Sequence, residues 1–344
     1  MRFSVACIGL FIFSAAISAA SEISEHPLNP SLTAEDLALI VNDNDKLSVQ
    51  IADYYQRKRA IPLSQVIHLR FDSTNIALTR FQFNNLKQQV DRQTPKHVQA
   101  FVLTWLKPFR VECMSITTAF AAGFDKAFCS HGCRETQKSP YFASHSAKPF
   151  SDHGWRPTMT LAGNDFQTVK RVIDRGVASD YSHPKGTAYL LKTKDWIRSS
   201  RAALFPEIAE QFSRSWPVSY LQQNFIENKH DVMFYFTGLV HVPKIATNTY
   251  LPGAVADHLT STGGVLTGSG QMNLLDWLEA GATASYGTVV EPCNFPEKFS
   301  HPGVLMQYYL NGSSLIEAYW KSVLEPGQGI FVGEPLAKPF TDRP

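Results

Sequence analysis

The chain has 344 residues, with 32 Lys and Arg against 30 Asp and Glu, a formal net charge of +2 and 44% hydrophobic residues. That length fits one large or two ordinary domains, and the composition is that of a globular protein. The near-neutral balance gives no basis for binding nucleic acid or an anionic membrane surface.

The first segment carries Arg2, then an apolar run from Val5 to Ile17, then the small residues Ser18, Ala19 and Ala20 before the polar Ser21. The run is shorter than the ~20 residues a spanning helix needs. With a Ser-x-Ala site it predicts a secretory signal over 1–20, cleaved after Ala20. The expected mature chain is periplasmic or secreted, with no stable membrane span after cleavage. Loss of the leader removes Cys7 and leaves Cys113, Cys129, Cys133 and Cys293. An even number in an oxidising compartment predicts disulfides. Three connectivities are open. The local pair Cys129–Cys133 with the long-range pair Cys113–Cys293 is the one expected first.

Beyond residue 34 the pattern alternates. Residues 36–41 read as a short buried strand, and Asn42 to Asp45 as a turn able to cap a helix. Leu47, Ile51, Tyr54 and Tyr55 recur at helical spacing. Arg57, Lys58 and Arg59 suit that helix's C-terminus, and Pro62 ends it. Strands are predicted over 66–69 and 98–104, and helices over 81–90 and 115–124. The stretch 126–156, rich in Ser, His, Pro and Cys, is irregular. It is predicted to join two halves, about 35–125 and 157–340, of a single α/β unit covering 21–344.

The second half predicts strands over 158–162, 188–191, 218–221, 232–236 and 282–286. Helices are predicted over 166–173, 196–212 with a break at Pro206, 253–262, and 303–323 with a break near Gly312. Strands alternating with helices predict an α/β fold, a mainly parallel sheet with helices on both faces. Ligands bind such sheets beyond the C-terminal strand ends, which directs attention to the loops after Val41, Thr104, Phe236 and Tyr286.

No GxGxxG, Walker A, HExxH or GxSxG motif occurs in the pattern its chemistry needs. Gly263-Gly264 and Gly268-Ser269-Gly270 read as turns, since no Lys follows as in a phosphate loop. Cys129, His131, Cys133, His145 and His153 are metal-binding residue types, but Cys-x3-Cys in an exported protein points first to a disulfide. No metal and no cofactor is expected. The predicted strand ending at Thr237 and Gly238 presents these residues and Leu239 as candidate binding positions, with His241 just beyond. His258 and Ser261 stand three apart on a predicted helix and so share a face. A Ser beside a His is the minimum for nucleophilic catalysis. The alternative is a helix-capping Ser261 and a surface or core His258. Cys293 is a candidate nucleophile if its thiol is free, and a structural cysteine otherwise. Glu291 and Glu297 in the same loop are candidates for general acid and base, and Glu291 also for binding.

The runs LALIVNDND, SVQIADYYQRKRAIP, RPTMTLAG, LIEAYWKS and VGEPLAKPF together resemble an uncharacterised family of exported bacterial proteins, which implies no particular activity. More distantly, the order of elements resembles the gingipain and legumain branch of caspase-like cysteine peptidases. In that branch a strand ends in a Tyr-Thr-Gly-His-Gly turn carrying the catalytic His. The matching stretch here is Tyr235-Phe236-Thr237-Gly238-Leu239-Val240, with Leu239 at the His position. The branch's catalytic Cys ends the following strand. The matching stretch, His258-Leu259-Thr260-Ser261-Thr262, holds no Cys. Gly281 to Thr288, Gly312 to Ala318 and Gly333-Glu334-Pro335-Leu336 are similar to later elements of those peptidases. The resemblance implies a caspase-like sheet. Three functions follow as expectations. The first is a non-catalytic protein that binds protein or peptide at the strand ends, or serves the envelope. The second is a hydrolase whose nucleophile has moved to Ser261 or Cys293, with His241 or His258 as base. The third is a structural envelope protein.

Overall fold

A computed structural model describes residues 31–130 and 132–343. The predicted signal segment, Cys7 and His131 lie outside the described residues. In chain order, the first strands and helices are β1 (Leu37–Asn42), α1 (Lys46–Arg59), β2 (Val66–Leu69), β3 (Ala77–Leu78), α2 (Arg80–Gln93) and β4 (Ala100–Leu103). Next come β5 (Arg110–Val111), β6 (Met114–Ser115), α3 (Ile116–Ala122), α4 (Pro149–His153), β7 (Thr158–Thr160) and α5 (Phe166–Ser179). There follow β8 (Thr187–Leu191), α6 (Phe205–Phe212), β9 (Val218–Leu221), β10 (Val232–Gly238) and β11 (Tyr250–Leu259). The chain closes with α7 (Leu274–Ala280), β12 (Ala284–Thr288), α8 (Pro302–Leu310), α9 (Leu315–Ser322) and β13 (Gly329–Gly333).

Local chemistry sets many of these boundaries. The Asp45 side chain accepts from the Leu47 N–H and starts α1, and Arg57, Lys58 and Arg59 occupy its last turn against the helix dipole. Thr79 and Gln82 form a reciprocal capping box at the start of α2. Along β1 the side chains alternate: Leu37 and Leu39 enter one hydrophobic core, Ala38 and Ile40 the other. A strand buried on both faces this way belongs to a sheet with layers on both sides.

That sheet has ten strands in the order β2-β1-β4-β7-β13-β12-β11-β10-β8-β9. Its neighbours pair in parallel at every point but one. β12 and β13 run antiparallel, with Ala284 opposite Gly333 and Thr288 opposite Gly329. The five strands on one side of this seam therefore point one way and the five on the other side point the opposite way. This reversal bears on the strand-end loops. Those after β1 and β4 open at one end of the sheet, and those after β10 and β12 at the other. They do not converge on one site.

Two elements differ from the sequence expectation. The stretch 253–262, expected as a helix, is mostly the second half of β11, buried throughout from Gly253 to Leu259. Short apolar runs have no decisive period, and this one lies between two parallel neighbours, β10 and β12. The consequence is direct: His258 and Ser261 do not share a helix face. The expected long helix over 196–212 is a turn, then a 3-10 helix Ser200–Leu204, then α6, with Pro206 in the first turn of α6. There its missing N–H breaks no helical bond. Among the described residues no helix is long and apolar enough to cross a membrane.

The two disulfides also differ from the expected pairing. Cys113 bonds Cys129 and Cys133 bonds Cys293. Cys129 follows the 3-10 helix Lys126–Phe128 and is buried in the second core, where Cys113 packs beside it. Beyond Cys129 the chain leaves that core, and Cys133 is exposed. It thereby reaches Cys293 in the loop after β12. Peptide mapping of the unreduced protein is expected to recover these two linkages. Cys133→Ser with Cys293→Ser opens a link across 160 residues. The double variant is expected to unfold at clearly lower temperature, since chain entropy assigns such a link about 5 kcal/mol.

Candidate functional site

β10 and β11 are adjacent and parallel, with Thr237 opposite His258 and Gly238 opposite Leu259. Their in-register ends bring Leu239 next to the Thr260–Ser261 stretch, at the C-terminal end where such sheets hold ligands. What surrounds these ends decides what they can do.

Beneath them lies a buried ion pair. Arg201, on the 3-10 helix before α6, places Nη2 2.6 Å from Asp257 of β11. Nη2 also donates to the Thr237 carbonyl at 3.1 Å, and Nη1 donates to the carbonyl and hydroxyl of Ser300. The Ser300 hydroxyl donates to Asp257 at 2.5 Å. Burial pushes the Asp257 carboxyl up, and Arg201 opposes that shift. Both side chains are about 1% exposed, so the pair is out of reach of any substrate and serves to tie the two strand ends together.

On the opposite face of β11, His258 is sealed. Its Nδ1 accepts from the Trp277 indole N–H at 2.9 Å, and its Nε2–H donates to the Met272 carbonyl at 3.1 Å. An indole N–H can only donate, which fixes the neutral Nε2–H tautomer. Burial drives the pKa of His258 down to about 3. With both ring nitrogens engaged, His258 has no lone pair to offer a nucleophile.

The remaining expected residues are dispersed. His241 is exposed and donates from Nε2 to the Gly270 carbonyl. The Ser261 carbonyl accepts from the Thr288 hydroxyl at 2.9 Å. Among the described residues no hydrogen bond joins Ser261 to His241 or His258. Thr237 and Gly238 are buried, and Leu239 packs half-buried against the first core. Cys293 is half of a disulfide and so has no thiol. Glu291 is exposed and accepts from the Cys293 N–H at 2.8 Å. Glu297 is exposed, and its backbone carbonyl accepts from the Glu325 N–H. A Ser–His contact does exist elsewhere: Ser144 Oγ lies 3.0 Å from His153 Nε2, in a turn where Ser144 also accepts from the Ser146 N–H. His145 packs near the Tyr308 ring. No group of three or more His, Cys, Asp or Glu positioned for a metal occurs among the described residues.

Sequence reading missed the turn at 193–199, which sits on these strand ends. The Thr193 hydroxyl donates to the Gly238 carbonyl at 2.7 Å. Arg198 donates from Nε to the Thr260 hydroxyl at 3.1 Å and pairs with Asp195 at 2.9 Å. The Lys194 N–H is held by Asn224. The Arg198 carbonyl passes so close to Gly238 that a Cβ there would overlap it, which accounts for the glycine. At the tip of this fastened turn Trp196 is 81% exposed and Ile197 40% exposed. Covering the ~200 Å² of a tryptophan is worth up to about 5 kcal/mol, and Trp196 leaves most of that surface in water. The local signal was present in KTKDWIR, an aromatic among charges, but a helical reading absorbed it.

The solved structure of gingipain R, described as an Arg-specific cysteine proteinase, matches 91% of this chain and 80% of its own, with a TM-score of 0.51 and 8% identity. At that identity the likeness is one of fold. The chain therefore has a caspase-like α/β fold, a mostly parallel sheet with helices on both faces. No protein-family model matches it and no curated protein matches it, so the resemblance to a family of exported bacterial proteins finds no support.

The state of His258 has a measurable consequence. Its folded-state pKa of about 3 lies below the ordinary 6.5, so the unfolded chain binds this proton first on acidification. The stability it contributes is present above about pH 6.5 and is lost as pH falls toward 3. His301, pushed down to about 4 by burial, acts in the same direction. Imidazole NMR is expected to show His258 as the untitrating Nε2–H tautomer from pH 8 to 5, while the urea midpoint declines below pH 6.5.

Proposed function

We propose that this chain is a non-catalytic protein on a caspase-like scaffold, which binds protein or peptide at the ends of β10 and β11, outside the cytoplasm. The observation that carries the reading is the state of the strand ends. Leu239 stands where the resemblance places a base, the stretch His258 to Thr262 that it matches to the catalytic Cys region holds no Cys, and His258 has both nitrogens engaged. A nucleophile needs a base within hydrogen-bond reach; among the described residues Ser261 makes no hydrogen bond to His241 or His258, and Cys293 is in a disulfide, which supports the reading. Two disulfides support an oxidising compartment.

A relocated hydrolase is the second reading, favoured by one feature. The half-buried Ser261 hydroxyl has no hydrogen-bond partner among the described residues. Incubation of the purified chain with a mixed-sequence peptide library, followed by mass spectrometry, separates the two. The expected result is no cleavage and no labelling of Ser261 by a fluorophosphonate. Cleavage that disappears in Ser261→Ala at unchanged melting temperature overturns the non-catalytic reading.

A further inference from the structure

We propose that the 193–199 turn is the docking point for a peptide segment that places acidic residues beside an aromatic or branched apolar one, with Trp196 and Ile197 covering the apolar residue and Lys192 and Lys194 facing the acids. The proposal rests on the binding reading above and gives that surface its residues and the chemistry of its partner.

Large apolar side chains are normally withdrawn from water, and a lone exposed one needs no explanation. Here two adjacent ones project from a turn fixed to the ends of β10 and β11 and to the loop after β9. Within the turn, Asp195 accepts from the Arg198 N–H and its own N–H donates to the Thr193 hydroxyl. The turn is thus held by at least five hydrogen bonds, three from its backbone N–H groups and two from its side chains to the strand ends, while Trp196 and Ile197 at its tip face solvent. A pre-ordered aromatic of this kind loses little further freedom when a partner covers it, which is the property of binding hot spots.

The charge around the tip selects the partner. Lys192 and Lys194 are exposed and have no ion-pair partner among the described residues. Arg198 is neutralised by Asp195. The turn and the residue before it therefore carry two exposed lysines, unpaired among the described residues, within a few residues of two exposed apolar groups, and the complementary segment is acidic and apolar. A membrane surface fits less well. Stable anchoring on lipid needs two signals or an extended basic face, whereas this patch is one turn with a carboxylate at its centre, on a chain of net charge only +2.

The test uses the full mature chain with its disulfides intact. The probes are a fluorescein-labelled peptide alternating Glu with Phe and Leu, its Lys-for-Glu counterpart, a displayed random peptide library, and vesicles containing one-third phosphatidylserine. The acidic peptide is expected to bind in fluorescence anisotropy and its lysine counterpart not to bind. Affinity should fall at least tenfold in Trp196→Ala and in Lys192→Glu with Lys194→Glu. Trp196→Phe should retain most of it. Because Trp196 lies in solvent, the variants are expected to melt with the parent. Acidic-peptide binding that is unchanged in Trp196→Ala overturns this inference while the binding reading stands. So does preference for the lysine peptide, or Trp196-dependent binding to vesicles without binding to peptide. If neither the two peptides nor any library member binds, the binding reading fails and this inference with it.

Discussion

The antiparallel seam between β12 and β13 organises the molecule. The C-terminal strand enters the middle of the sheet, between β7 and β12, and reverses the direction of everything on its far side. Small residues make the close packing possible there. The Tyr286 hydroxyl crosses directly over Gly329 to donate to the Lys298 carbonyl at 2.7 Å, and a side chain at 329 would displace it. On the other face of β12, Gly287 packs against the Gly263–Gly264 backbone, and the Gly264 N–H donates to the Thr288 carbonyl. Because of the reversal, the C-terminal end of β12 and the N-terminal end of β7 lie at the same edge. That is the edge at which the segment before β7 and the loop after β12 are joined through Cys133 and Cys293.

Two buried ionic groups hold the layers to this seam. Glu334, one residue past β13, accepts from the Tyr55 hydroxyl at 2.6 Å and pairs with Arg59, both on α1. Arg59 also pairs with Asp180 at the end of α5, and Asp180 accepts from the Lys338 N–H. Helices α1 and α5 and the C-terminal tail thereby share one set of charges. Arg201 and Asp257 act comparably for β10 and β11. Such pairs add little over a well-packed apolar equivalent, yet removing one partner costs roughly 3–5 kcal/mol because the other charge is left buried. Their effect is to make one arrangement of the elements far better than its neighbours. The Arg201–Asp257 pair is fully buried, while Arg59 and Asp180 of the first group are partly exposed.

Much of the architecture was legible in the sequence, because capping residues and apolar runs act locally. The α1 helix followed from Asp45, the Leu47–Tyr55 spacing and the basic last turn, and β10 from five consecutive apolar residues before Thr237-Gly238. What could not be read depended on partners far along the chain. The run around Ala254–Leu259 becomes a strand because β10 and β12 flank it, and no local period says so. Cysteine pairing follows from which chain ends the seam brings together, so proximity in sequence was a poor guide for Cys129 and Cys133. At the candidate site, the strand-end location was visible in Thr237-Gly238-Leu239. The engagement of His258 was not, because Trp277 and Met272 reach it from elements beyond the strand.

The same contacts bear on what this scaffold does at its strand ends. Most of the polar atoms at these strand ends are engaged by neighbouring loops, with the Ser261 hydroxyl as an exception. The Gly238 carbonyl takes the Thr193 hydroxyl, and the Val240 carbonyl takes the Met272 N–H. The Thr260 hydroxyl lies between Arg198 and Gln271, and the Ser261 carbonyl takes Thr288. Each bond is individually worth about 1 kcal/mol, but each also fixes a loop against its neighbour. Two of these bonds, from Thr193 to the Gly238 carbonyl and from Arg198 to the Thr260 hydroxyl, also fasten the 193–199 turn to the strand ends. A turn fastened in this way, with Trp196 and Ile197 exposed at its tip, combines the two features that recognition favours, a pre-ordered backbone and uncovered apolar surface.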